Sequence, residues 1–168
     1  MKVPIFTSPY RYCRAIAVSR AKGHIAKGSK TGPEDEQKRI RMEVRSTVCE
    51  FAFSLLHPSV RQQFRGDVNL KGDGGWDYQL PNGRRIDVKS GPPRTDGMIV
   101  GLRHLTACDT FVMSRYLDDE RCVEFLGWIN AREVEGVGET ISLKEWGKKP
   151  HVRVALDKLH PMSEFKWD

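Results

Sequence analysis

A chain of 168 residues, 39% hydrophobic and 30% charged, has the length and composition of one globular domain with its own core, which excludes the disordered and fibrous classes. Its net charge of +6 favours a polyanionic partner, with nucleic acid the first candidate. No apolar run approaches the length that spans a bilayer, and the opening MKVPIFTSPYRYCRAIAV is broken by Pro9, Arg11 and Arg14, so it reads poorly as a signal peptide. A cytoplasmic protein with no membrane partner is expected. Cys13, Cys49, Cys108 and Cys122 form no CxxC pair and no zinc spacing, and are read as reduced thiols.

In chain order, Ser8-Pro9 opens an expected helix over 9–21 that Gly23 stops, followed by a basic loop, GHIAKGSKTG. Residues 11 to 30 carry Arg11, Arg14, Arg20, Lys22, Lys27 and Lys30 and no acid. The strongest helix runs from Pro33 to about Leu56, with Pro33 in its first turn and His57-Pro58 as its stop. Ile40, Val44, Val48, Phe51 and Leu55 recur at four- and three-residue steps as one apolar stripe. At about 100° per residue, Glu43 and Glu50 fall within about 20° of each other on the flank of that stripe. Glu50 is the more suggestive, because CEFAF surrounds it with apolar residues.

Strands are expected over 75–80, 84–90, 97–100, 110–116 and 122–129, with a weaker one at 66–70. Asn130 caps a short helix over AREVE, and Ser142 another over LKEW. A long helix followed by clustered strands and short helices points to an α/β sandwich around one mixed sheet.

The stretch GGWDYQLPNGRRIDVKSG raises the chemical question. Pro81-Asn82-Gly83 suits a three-residue hairpin loop, with Pro81 at the second turn position and Gly83 in the left-handed conformation. That loop pairs Leu80 with Arg84 and therefore sets Asp77 opposite Asp87, with side chains about 5 Å apart. Lys89 points to the same face because strand side chains alternate, while Trp76, Tyr78, Ile86 and Val88 point to the other, into a core. Two facing carboxylates repel unless a proton or cation lies between them. A surface ion-pair cluster would satisfy that demand, and so would a hard cation such as Mg²⁺, which takes carboxylate and carbonyl oxygens.

An acid, a hairpin, an Asp-x-Lys and a preceding helix glutamate together resemble the PD-(D/E)xK nuclease superfamily, the restriction-endonuclease-like fold, and in particular its small phage and bacterial members. The matching pieces are Glu50 in CEFAFSLL, Asp77 in GGWDYQL and Asp87-Val88-Lys89 in RRIDVKSG. ACDTFVMSRY, VEFLGWINAREV and VALDKLHPMSEF resemble the later strands and the closing segment, so the likeness covers roughly residues 40 to 165. Trp76 stands where the family name has proline, and the second acid is Asp rather than Glu.

The resemblance implies a single three-layer α/β/α domain over 33–168, with a central mixed sheet of four to five strands, preceded by a basic helix/loop extension over 1–32. It implies a Mg²⁺-dependent endonuclease acting on DNA, with Mn²⁺ as a substitute ion, in the cytoplasm of a bacterium or phage-infected cell. Asp77, Asp87 and the Val88 carbonyl would bind metal, Glu50 would hold a metal-bound water or a second ion, and Lys89 would position the attacking water. Glu43 is the fallback for Glu50. Arg84, Arg85, Arg94, Arg103 and Lys71 flank the hairpin in sequence and are expected to contact phosphate, which gives affinity without sequence readout. Cutting both strands of a duplex takes a second active site, which leaves room for a homodimer. The alternatives are a Holliday-junction or branched-DNA resolvase on the same fold and a catalytically silent nucleic-acid-binding domain. His24, His57, His104, His151 and His160 show no metal-ligand spacing and are expected at the surface or satisfied in the core, with His104 a distant candidate for phosphate.

Overall fold

The computed structural model describes residues 1–26, 33–64, 75–142 and 150–168. The 66–70 strand, the helix over LKEW, Lys71 and residues 27–32 of the basic loop lie outside these. Strand β1 (Lys2–Pro4) leads into helix α1 (Thr7–Ala26), which begins before the expected start and runs through Gly23. Helix α2 (Pro33–Ser54) and the short α3 (Pro58–Arg61), capped by His57, follow. Strands β2 (Tyr78–Gln79), β3 (Arg85–Gly91), β4 (Gly97–Gly101), β5 (Thr110–Leu117) and β6 (Cys122–Asn130) fall where alternation and β-branched content place them. Helix α4 (Ala131–Val137) opens on a capping box between Asn130 and Glu133, and β7 (Glu139–Ser142) and β8 (Pro150–Ala155) complete the set.

The protein is a mixed α/β domain. A five-stranded sheet has the order β1-β6-β5-β3-β2, with β3 and β5 parallel and the other neighbours antiparallel. A parallel pair needs a long crossover, and the chain between β3 and β5 uses it to build β4, which joins β8 and β7 in a second, three-stranded sheet.

Helices α1 and α2 cover one face of the larger sheet. Cys13, Ala17, Val48, Ala52 and Phe53 pack there against Tyr78, Ile86, Val88, Val112 and Phe125. Residues 1–26 are therefore integral to the domain, with β1 as an edge strand and Ile5, Cys13 and Ala17 in its core. On the opposite face Phe111, Met113 and Ile129 pack against Met98, Val100, Val134, Val152 and Val154.

The apolar stripe of α2 is wider than its sequence period and rotated from it. The helix is wedged between α1 and the sheet, so Thr47, Cys49 and Ala52 are buried as well, while Leu55, beyond the helix end, is 39% exposed. At the outer side of β2, the Gln63 side-chain amide donates to the Gln79 carbonyl (2.6 Å) and accepts from the Gln79 N–H (2.8 Å).

Candidate active site

The hairpin has the register that its loop predicts. The Leu80 N–H donates to the Arg84 carbonyl (2.9 Å), Gly83 has φ +87°, and Tyr78 pairs with Ile86 and Gln79 with Arg85. The pairing does not continue in register to Asp77. Strand β2 begins at Tyr78 and the Asp77 N–H donates to the Ile86 carbonyl (2.8 Å), so Asp77 is not set directly opposite Asp87 as the loop alone predicts. Tyr78, Ile86 and Val88 are buried on the helix side as expected. Trp76 is not with them. The backbone turns at Gly75 (φ +91°) before β2 begins, and Trp76 packs half-buried against the opposite cluster.

Three groups of acids and bases meet in one cleft of about 1020 Å³, between α2 and the β3–β4 region. Asp87, 6% exposed, lies 2.6 Å from the Lys89 ammonium through its Oδ2, and the His104 Nδ1 is 3.6 Å from the same oxygen. The Asp77 Oδ2 accepts from the Val88 N–H at 2.7 Å, which fixes the first carboxylate against the strand that carries the second. The Lys89 ammonium also lies 5.8 Å from the centre of the Phe111 ring. Beneath the site, burial, with Asp87 adding to it, pushes the Cys108 thiol up to about 12, so that group stays protonated and inert at neutral pH.

Glu50, 9% exposed, stands on α2 as the sequence places it, and its backbone carbonyl accepts the buried Tyr78 hydroxyl at 2.6 Å. That bond ties the helix to the first strand of the hairpin and brings Glu50 and Asp77 to one cleft. Burial and the neighbouring Glu50 and Asp77 charges hold the Tyr78 hydroxyl well above its ordinary pKa, so it remains a donor.

The sequence does not announce what holds the Glu50 carboxylate. Arg20, thirty residues upstream on α1, donates to Oε2 at 2.9 Å, and the Ser46 hydroxyl donates to Oε1 at 3.0 Å. Burial pulls the Arg20 pKa down, but Glu50, with Glu43 and Asp77 adding to it, more than offsets this and the net shift is upward. Glu43, the fallback acid, is half-buried and lines the same cleft.

The basic residues sort differently from their order in sequence. Arg84 lies 4.9 Å over the Phe165 ring and donates to the Lys166 carbonyl, and burial lowers its pKa. Arg85 pairs with Asp109 at 3.3 Å. Both are at the turn end of the hairpin and neither lines the cleft. Arg94 is exposed beyond β3 and also lies off the cleft lining, whereas Arg103 lines it and donates to the His104 Nε2 at 3.2 Å. The sequence reading passed over Lys38, Arg41 and Arg45, which line the α2 wall, and His151, which lines the wall opposite. Their signal was present as helical spacing, since 38, 41 and 45 lie at three- and four-residue steps. It acquires meaning only once the helix face toward the cleft is known.

Among the described residues, no three His, Cys, Asp or Glu side chains form a group that could hold a metal ion. The hairpin places two carboxylates in one cleft, and the third, Glu50, is bound to Arg20. No described helix is long and apolar enough to cross a membrane. Comparison of the chain with protein-family models, with curated proteins and with solved structures gave no match.

Proposed function

We propose that the chain is a Mg²⁺-dependent endonuclease of the restriction-endonuclease-like, three-layer type, hydrolysing phosphodiester bonds in DNA. One observation carries this reading. Asp77, held by the Val88 N–H, and Asp87, paired with Lys89 two residues on, line one cleft with a helix glutamate and a wall of arginines.

The donors suit a hard cation. They are carboxylate oxygens, with Val88, next to Asp87 in sequence, lining the same cleft, and the lysine that neutralises Asp87 marks where positive charge is wanted. Asp77, Asp87 and the Val88 carbonyl would hold the ion. When bound there, Mg²⁺ supplies Lewis-acid stabilisation of the phosphate oxygens and a more acidic water. Lys89 then keeps the attacking water in place by hydrogen bonding and sets its charge against the negative charge that grows on phosphorus oxygens in the transition state. Arg41, Arg45 and Arg103 bind flanking phosphates and orient the strand over the acids. His104 and Arg103, joined by their hydrogen bond, close the far wall. Double-strand cutting on this scheme takes two copies of the chain.

A second reading has its own support. The Asp87–Lys89 and Arg20–Glu50 pairs already balance charge inside the site, as they would in a silent nucleic-acid-binding domain. Nicking of supercoiled plasmid with and without Mg²⁺, with four-way junctions alongside, separates the readings. Mg²⁺-dependent nicking is expected, and preferential junction cutting would assign a resolvase. DNA binding without cleavage at any Mg²⁺ or Mn²⁺ concentration would overturn the nuclease reading.

A further inference from the structure

The structure holds one feature that the nuclease scheme does not use, a guanidinium from α1 inserted beside the helix acid. Arg20 donates to the Glu50 Oε2 at 2.9 Å and to the Thr47 hydroxyl at 3.4 Å, while the Ser46 hydroxyl occupies the Glu50 Oε1 at 3.0 Å. Both carboxylate oxygens are therefore engaged, one of them by a permanent cation. The side chains of Arg20 and Glu50 are 24% and 11% exposed, so water screens the pair little. A carboxylate with both oxygens engaged is a poor ligand for a divalent ion, because coordination would require expelling the guanidinium from Glu50. At Asp87, by contrast, Lys89 and His104 both approach through Oδ2. The absence, among the described residues, of any group of three metal-ligating side chains agrees with this. The acids of the hairpin form one unit and the helix acid another, and the second unit carries its own cation.

We propose that Arg20 stands in for a second metal ion, so that the site takes a single divalent cation on Asp77 and Asp87, with Glu50 serving to position Arg20 and not to ligate metal. This rests on the nuclease reading and deepens it. Arg20 is a positioning residue in this scheme. It does not itself line the cleft; it lies behind Glu50, which does, so its fixed charge acts on the α2 wall through that carboxylate and without the dissociation equilibrium of a bound ion. Sequence offers no hint of the arrangement, because nothing in a lone arginine on the first helix indicates which acid of the second it will meet.

Calorimetric titration of Mn²⁺ into the EDTA-stripped full chain tests it, with thermal melts to verify folding of each variant. The wild type is expected to bind one Mn²⁺ per chain, and Asp87→Asn to weaken that binding at least tenfold. Glu50→Gln, which keeps the Ser46 contact, should leave Mn²⁺ affinity within about threefold. Arg20→Lys, which keeps a cation at the position, should stay at one ion. Arg20→Met should acquire a second, weaker ion at the released Glu50. Two ions in the wild type, a tenfold loss in folded Glu50→Gln, or a single ion in folded Arg20→Met would each overturn the proposal while leaving the nuclease reading intact. If Arg20→Met does not fold, the wild-type stoichiometry and Glu50→Gln decide the matter. No Mn²⁺ binding by the wild type would overturn the metal reading on which the proposal rests.

Discussion

The two ends of the β2–β3 hairpin carry similar charges and put them to different uses. At the turn end, Arg84 is sandwiched between the Phe165 ring and a backbone carbonyl, and Arg85 is paired with Asp109. Those cations serve the fold. At the cleft end, Asp87 pairs with Lys89 and Asp77 lines the same cleft, with α2 supplying Arg41 and Arg45 across the gap. Charge adjacency in sequence therefore misleads in both directions. Arg84 and Arg85, next to the hairpin turn in the chain, are turned away from the site, and two of the three arginines that line it, Arg41 and Arg45, come from a helix more than thirty residues earlier. A strand carries its neighbours to opposite ends and faces, whereas a helix packed at the right angle presents a row at every third or fourth residue.

The sharpest way to break this comparison is Lys89→Ala. If the cleft end is catalytic, cleavage falls on the order of 10²-fold or more while DNA binding isotherms are preserved, because the lysine acts mainly on transition-state charge. Leaving Asp87 without its partner should also cost the metal-free chain about 1–3 kcal/mol, part of which Mg²⁺ restores. Equal cleavage rates in plasmid assays would place Lys89 with the structural cations of the turn end.

Next in size is Asp77→Asn. Saturating divalent ion, at 100 times its dissociation constant, should stabilise the wild type by about 2.7 kcal/mol, seen as a rise in Tm. The variant should lose most of that rise. Its metal-free stability should hold or improve, since the amide oxygen can still accept from Val88 and one negative charge is gone. A metal-induced rise in Tm that persists in Asp77→Asn would place the ion elsewhere.

The comparison is sharpened by removing one cation from each end. Arg45→Ala and Arg41→Ala should each weaken DNA binding across all sequences and reduce the slope of log affinity against log salt by about 1, the signature of one lost phosphate contact. Arg84→Ala should leave that slope unchanged. Its effect belongs to stability, a loss of about 1 kcal/mol for the ring contact and the carbonyl bond, measured by urea unfolding. A salt slope that drops in Arg84→Ala and not in Arg45→Ala would invert the assignment of the two ends.

Local rules carried the sequence a long way at the hairpin. Pro81-Asn82-Gly83 specifies a loop length and loop length specifies register. That register holds through Tyr78 opposite Ile86 and is then broken at Asp77, whose N–H bonds to the Ile86 carbonyl. Local spacing also declares α4, where Asn130 and Glu133 lie at the spacing of a capping box. What stayed hidden is non-local. Strand β1 is three residues long and owes its existence to β6, with Val3 set against Val123. Strand β8 pairs with β7 on one side and β4 on the other, and the composition of β7 and β8 is too polar or too short to declare it. The Arg20–Glu50 contact depends on how two helices cross, and the burial of Thr47 and Cys49 depends on α2 being covered on two sides. A periodic stripe predicts one buried face; it cannot predict a second neighbour.

The amide of Gln63 at the outer side of β2 has a consequence for assembly. By offering a donor and an acceptor to the backbone of Gln79, it imitates the next strand of the sheet with a side chain. An unguarded row of this kind is a template on which another molecule can extend the sheet, the first step toward fibrils and swapped dimers. While Gln63 holds both groups, no strand from a second copy can add at that position. Any pairing of two copies must then be made through side chains or another edge, and growth of the sheet at Gln79 is blocked by one glutamine.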